Sequence, residues 1–168
     1  MDLNPHILCW NVRGLNCPAK KKAVREFVTS VQVNLVCLQE TKLDVIDPFI
    51  IMQCIGPSLD GFAYLPAHET RGGILLAWDK TVMDVDNIKL DGNSLTGLVH
   101  NKDGAVWWIT VVYGPQGNEL KINFLEELRS RKATCQGPWM VLGDFNMILR
   151  ASDKNNTNLN RTMMRKFR

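Results

Sequence analysis

The apolar runs of this sequence come in groups, and that grouping narrows the fold more than any other feature. Ile7 to Trp10, Leu35 to Leu38, Phe62 to Leu65, Ile74 to Trp78, Val82 to Leu90, Leu95 to His100, Val106 to Tyr113 and Trp139 to Leu142 read as strands, from their length and their turn-rich flanks. Asp91-Gly92-Asn93 and Lys102-Asp103-Gly104 supply hairpin-like connections. Ala19 to Val31 reads as a helix with Ala23, Val24, Phe27, Val28 and Val31 on one face. Asn118 caps a second helix, Glu119 to about Lys132, whose inner face is Leu120, Phe124, Leu125 and Leu128. Pro48 to Ile55 is ambiguous between loop and short helix, and Gly56-Pro57 closes it. After Arg150 comes an Asn-rich stretch with no core signal, then a short terminal helix. Grouped strands with helices between the groups argue for mixed sheets covered by helices, against a doubly wound parallel sheet. A chain of 168 residues suits one core of this kind.

Four of the runs end in residues suited to metal or phosphate chemistry. Ile7 to Trp10 ends in Asn11, Leu35 to Gln39 in Glu40, Val106 to Val112 in Tyr113, and Trp139 to Gly143 in Asp144. Asn146 follows Asp144 at a spacing of two, so in extended backbone both side chains point the same way. Taken singly, each has an ordinary structural explanation as a turn former or loop cap. Taken together on one rim, they suit phosphodiester hydrolysis. A hard divalent ion needs one or two carboxylates, a carboxylate can activate water, and amide and phenol donors can hold a phosphate.

Other chemistries find no footing. The sequence lacks G-x-S-x-G, Walker, G-x-G-x-x-G and H-E-x-x-H patterns. Its three histidines, His6, His68 and His100, stand in no distinctive catalytic context. Trp107-Trp108 alternates faces within a strand, so one ring is core and the other is free to pack or stack. The five cysteines form no C-x-x-C pair; Cys9 and Cys37 lie inside apolar runs as core thiols, which favours a reducing, intracellular setting. The start, Met1 to Pro5, lacks the order of a signal peptide, and no apolar run reaches the length of a membrane span.

The net charge is only +3, but it is unevenly placed. Lys20-Lys21-Lys22 form one run, and Arg150, Lys154, Arg161, Arg165, Lys166 and Arg168 oppose a single acid, Asp153. Such clusters suit a polyanion, and equally a solvated basic surface.

Cys9-Trp10-Asn11-Val12-Arg13-Gly14-Leu15, Leu38-Gln39-Glu40-Thr41-Lys42-Leu43, Arg71-Gly72-Gly73-Ile74-Leu75-Leu76-Ala77-Trp78, Val112-Tyr113-Gly114-Pro115 and Gly143-Asp144-Phe145-Asn146 occur in one order. These blocks resemble the apurinic/apyrimidinic-endonuclease-like domain of plant non-LTR (LINE-type) retrotransposons, in the DNase I-like endonuclease/exonuclease/phosphatase superfamily. The resemblance implies a four-layer αββα sandwich and a magnesium-dependent DNA endonuclease, with manganese as a substitute ion, acting in the nucleus. It implies that Glu40 holds the metal with Asn11 near it, and that Tyr113 contacts the scissile phosphate. It also implies that Asp144 activates water and that Asn146 fixes Asp144 and the phosphate.

The resemblance also sets expectations about extent. Residues 1–150 read as part of this domain and residues 151–168 as a basic tail leading toward its remainder. The family's closing Ser-Asp-His block, with its catalytic histidine, has no counterpart in the sequence. An open edge beside the first strand, self-association and weak activity are the expected consequences. The alternative to an active endonuclease is an inactive retrotransposon-derived fragment that keeps nucleic-acid binding.

Overall fold

The computed structural model describes residues 4–69 and 71–168; the start of the chain, read above for a leader, lies partly outside them. In chain order the elements are β1 (Ile7–Asn11), α1 (Pro18–Val31), β2 (Leu35–Gln39), α2 (Pro48–Cys54), β3 (Gly61–Leu65), β4 (Ile74–Trp78), β5 (Met83–Leu90), β6 (Ser94–Asn101), β7 (Val106–Tyr113), α3 (Asn118–Thr134), β8 (Trp139–Asp144) and α4 (Arg161–Phe167). Each run read as a strand is one, and the ambiguous segment after Asp47 is helical.

Two four-stranded sheets result, ordered β1-β2-β4-β3 and β5-β6-β7-β8. Both are mixed, because β1 and β2 run parallel, β7 and β8 run parallel, and the remaining pairs are antiparallel. The period-2 geometry of a strand explains why β2 and β4 are apolar throughout. Leu35, Cys37, Ile74 and Leu76 point between the sheets, where they meet Met83, Leu95, Val99, Ile109 and Val111. Val36, Leu38, Leu75 and Ala77 point outward and are covered by Val24 and Val28 of α1 and Ile51 and Cys54 of α2. On the far face α3 covers the second sheet, burying Phe124 and Leu125, and α4 adds Met163 and Met164. The layers are therefore helix, sheet, sheet, helix.

Asp47 starts α2 by accepting the Ile50 N–H at 2.8 Å, with Pro48 preset for the first turn. Asp47→Ala is expected to cost about 1 kcal/mol, read by urea unfolding.

Several sequence expectations are corrected here. Ala23, Phe27 and Val31 of α1 are exposed, and only Val24 and Val28 are buried. The cause is that β1 ends its sheet, so residues leaning over it lack a neighbour; Phe27 closes edge-on against Trp10 instead, with ring centroids 5.3 Å apart. Cys9, expected in the core, is exposed on the same terminal strand. Gly117, not Asn118, precedes the first turn of α3, and Leu120 in that turn is 58% exposed because it overhangs the sheet. The terminal helix buries two methionines where the sequence showed no core face.

On α3, Glu127 accepts from the Ser94 hydroxyl at 2.6 Å, beside the Arg131–Asp91 ion pair. Burial pushes the Glu127 carboxyl above its ordinary value of 4.5 and the Asp91 charge adds to this, while the Ser94 and backbone N–H bonds pull it back. A carboxyl raised on folding contributes stability that is present below 4.5 and lost as pH rises through its folded value. Glu127→Gln keeps an acceptor oxygen without the charge. It is expected to melt above the parent at neutral pH, with the difference closing below pH 4.5 in thermal scans.

Candidate active site

The sheet order decides which strand ends meet. Asn11 pairs in register with Gln39 across parallel β1 and β2, and Tyr113 with Asp144 across parallel β7 and β8. The carboxyl ends of all four strands therefore face one rim. A hydrogen bond from Asn11 Nδ2 to Asp144 Oδ2, 2.8 Å long, ties the two sheets together there.

Each amide and carboxylate on the rim is held in one orientation. Asn11 Oδ1 accepts the Arg13 N–H at 3.0 Å, so its other end must donate to Asp144. Asp144 Oδ1 accepts the Asn146 N–H at 3.0 Å, and Asn146 Nδ2 donates to the Gly114 carbonyl at 2.5 Å. Both Asp144 oxygens thus accept from donors, which fixes the orientation of the carboxylate. Asn146 sits at φ 50°, a left-handed conformation uncommon in a residue with a side chain, and it turns the chain back over Asp144.

Glu40 follows β2 directly, at φ 55°. Its carboxylate faces Lys42 Nζ at 3.3 Å, and the Tyr113 phenol lies near enough to feel its charge. Burial raises the Tyr113 phenol above its ordinary range, and the nearby Glu40 and Asp144 charges push the same way. Tyr113 is therefore a neutral donor placed between two carboxylates. All five residues predicted for the site, Asn11, Glu40, Tyr113, Asp144 and Asn146, are brought together.

Among the described residues no three His, Cys, Asp or Glu side chains are clustered to hold an ion by themselves. What the rim offers is Glu40, already facing a cation, with oxygen donors around it. That set suits a hard ion that binds through one or two carboxylates and keeps its water, as magnesium does.

Sequence reasoning missed Lys42 as a site residue. Its signal was the spacing of two from Glu40. It also missed how close the backbones run beneath the rim. A β-carbon on Gly143 would lie 2.1 Å from the Val112 carbonyl oxygen, and one on Gly114 would lie 2.0 Å from that of Phe145. The histidines stay off the rim: His100 pairs with Asp86 at 3.1 Å, and His68 lines a hollow beside the site.

Two stacked mixed sheets with helices on both outer faces form the DNase I-like fold. The sequence model of the endonuclease/exonuclease/phosphatase family matches residues 8–165, and the chain belongs to that family. Among solved structures it is similar to the catalytic domain of Xenopus laevis APE2, at TM-score 0.71 and 17% identity, covering 96% of this chain and 66% of that one. AP endonuclease LMAP from Leishmania major gives a TM-score of 0.66 at 18% identity, covering 97% of this chain and 64% of that one. D. rerio TDP2, solved with a single-strand DNA product, gives 0.62 at 17% identity, covering 86% and 61%. The chain thus spans about two thirds of the length of these structures or less, and at such identities the likeness speaks for the fold. No curated protein matches the sequence.

Proposed function

We propose that the chain is a magnesium-dependent phosphodiesterase domain that cuts DNA, of the kind found in non-LTR retrotransposons. The observation that carries this reading is the Asn11–Asp144 bond, with the Tyr113 phenol beside the Glu40 carboxylate, which brings acid, amide and phenol groups together from four strand ends. The solved complex of D. rerio TDP2 with single-strand DNA product supports a nucleic-acid substrate.

A magnesium ion bound at Glu40, with Asn11 near it, would supply positive charge to the phosphate. Asp144, fixed through both oxygens, is the acceptor for the proton of an attacking water. Tyr113, kept neutral, donates a hydrogen bond toward the phosphate oxygens. Asn146 holds the Gly114 turn that carries Tyr113, so its backbone and side chain serve the same rim.

The test is nicking of supercoiled plasmid with magnesium, with manganese and with chelator. Nicking that needs the ion and falls at least a hundredfold in Asp144→Ala is the expected result, the size of loss seen when a group acting on the transition state is removed. Equal nicking by both proteins would sink the assignment.

A second reading, nucleic-acid binding without cleavage, rests on α4. Arg161, Arg165 and Arg168 line one hollow of about 390 Å³ and have no carboxylate partner among the described residues. A phosphate backbone suits that stripe. Replacing all three by alanine is expected to flatten the salt dependence of DNA binding by up to about three charges' worth of slope. We also propose self-association through β1 and β8, the terminal strands on the side of the rim, where Trp10, Phe27 and Met140 are exposed. Sedimentation velocity across a concentration series reads it, and an unchanging monomer would refute it.

A further inference from the structure

The outer face of α2 is apolar where a surface helix is ordinarily polar. Ile51 and Cys54 point into the core, so Phe49, Met52 and Gln53 form the opposite face. Phe49 is 67% exposed and Met52 43%, and Val45, just before the helix, is 60% exposed. Pro48 is exposed as well, and it stands four residues from Met52, as Phe49 stands three, so they share one row. Single exposed apolar residues need no explanation, but a contiguous row with an aromatic ring at its centre is what protein interfaces bury.

Charge is arranged unevenly around this row. On the Gln53 side lies α1, whose Lys21 Nζ donates to Gln53 Oε1 at 3.1 Å. Lys21, Lys22 and Arg25 line a hollow of about 180 Å³ with Gln53, where the two helices meet. Arg25 reaches the end of α2, its Nε 3.5 Å from where a β-carbon on Gly56 would lie. Lys21 and Arg25 face no carboxylate among the described residues. Lys22 has only Glu26 at 3.8 Å, an exposed and weak pair. At the start of α2, Asp44 and Asp47 are exposed. Along the helix the face is therefore acidic, then apolar, then basic.

We propose that this face docks an amphipathic helix of a partner protein, with its apolar side on Val45, Phe49 and Met52 and its acidic residues against Lys21, Lys22 and Arg25. A nucleic-acid backbone would satisfy the cations but leave the apolar row in water, and Asp44 and Asp47 would repel it. An acidic, apolar-sided helix satisfies both. None of the five rim residues takes part, so the proposal does not depend on the hydrolytic reading.

The full chain is titrated in chelator with a fluorescent helical peptide of about 15 residues, leucines along one side and glutamates on both borders, following anisotropy. A matched peptide carries lysine for glutamate, and a short DNA duplex is the competitor. The expected result is saturable binding of the glutamate peptide, weakened about tenfold by Phe49→Ser and about tenfold by Lys21→Glu with Arg25→Glu. The double charge reversal should also bind the lysine peptide more tightly than the parent does, a gain that a misfolded chain could not give. Equal affinity of the parent for the two peptides, or undiminished binding by Phe49→Ser, overturns the proposal. A duplex that displaces the peptide gives the face to nucleic acid instead. Self-association of the parent that Phe49→Ser abolishes gives it to a second copy, and either outcome refutes the partner helix.

Discussion

Gly143→Ala is expected to destabilise the chain by about 3–5 kcal/mol, the sum of a forbidden backbone conformation and a backbone clash. At φ +135° the residue lies where side chains are rarely tolerated, and its β-carbon would sit 2.1 Å from the Val112 oxygen and 2.9 Å from the Val112 nitrogen. Backbone atoms cannot swing aside as a side-chain tip can, so β7 and β8 must separate. Gly104→Ala is the matched control. It too has a positive φ, +97°, but a β-carbon there meets nothing within 4 Å, so its loss is expected to be about 1 kcal/mol. The gap between the two in urea unfolding measures the clash alone. Val112 and Gly143 are register partners one step before Tyr113 and Asp144. Separating them therefore moves both site residues, and the tyrosine's raised phenol should relax toward its ordinary range along with the loss in stability. Equal unfolding midpoints for the two variants would refute the close-approach argument.

The sequence carried the strands and the strand-end residues because both depend on local patterns. A run such as Leu35 to Gln39 is apolar on both faces, and only burial between a second sheet and a helix layer satisfies it. Asn11, Glu40, Tyr113 and Asp144 were legible as termini of such runs. What joins them was not legible, because Asn11 and Asp144 are 133 residues apart and meet only when parallel pairs in two sheets stack. Helical periodicity misled where a helix overhangs an edge. Phe27 and Leu120 satisfy the amphipathic pattern, yet one lies over a terminal strand and the other beside a hollow. The burial of Met163 and Met164 escaped notice for the opposite reason: a seven-residue helix is too short to show a period. Lys42 could not be singled out from its spacing alone, since its role depends on left-handed turns at Glu40 and Lys42 that fold it back over the carboxylate.

On the proposed magnesium reading, Glu40→Gln is expected to abolish the stabilisation that the ion would give the parent chain, with little effect when the ion is absent. The two halves follow from the same geometry. Without metal, Glu40 faces Lys42 at 3.3 Å with side chains 19% and 33% exposed, a partly screened pair worth about 0–1 kcal/mol. With metal, an ion that binds only the folded chain stabilises it by RT ln(1 + [L]/Kd), about 2.7 kcal/mol at a hundred times Kd. In a chain of 168 residues that raises the melting temperature by roughly 5–10 °C. Removing the charge of the single rim carboxylate that faces a cation should erase that rise, because an amide is a much weaker partner for a hard ion. Lys42→Met tests the same idea in the other direction. The lysine ammonium and the ion compete for one carboxylate, so deleting the ammonium should tighten magnesium binding, read by calorimetry without any substrate. If Glu40→Gln keeps the full magnesium-induced rise, the ion binds elsewhere; if Lys42→Met weakens binding, the lysine supports the ion instead of opposing it. Only loss in the first variant and gain in the second place the metal on Glu40, with Lys42 as the cation it displaces.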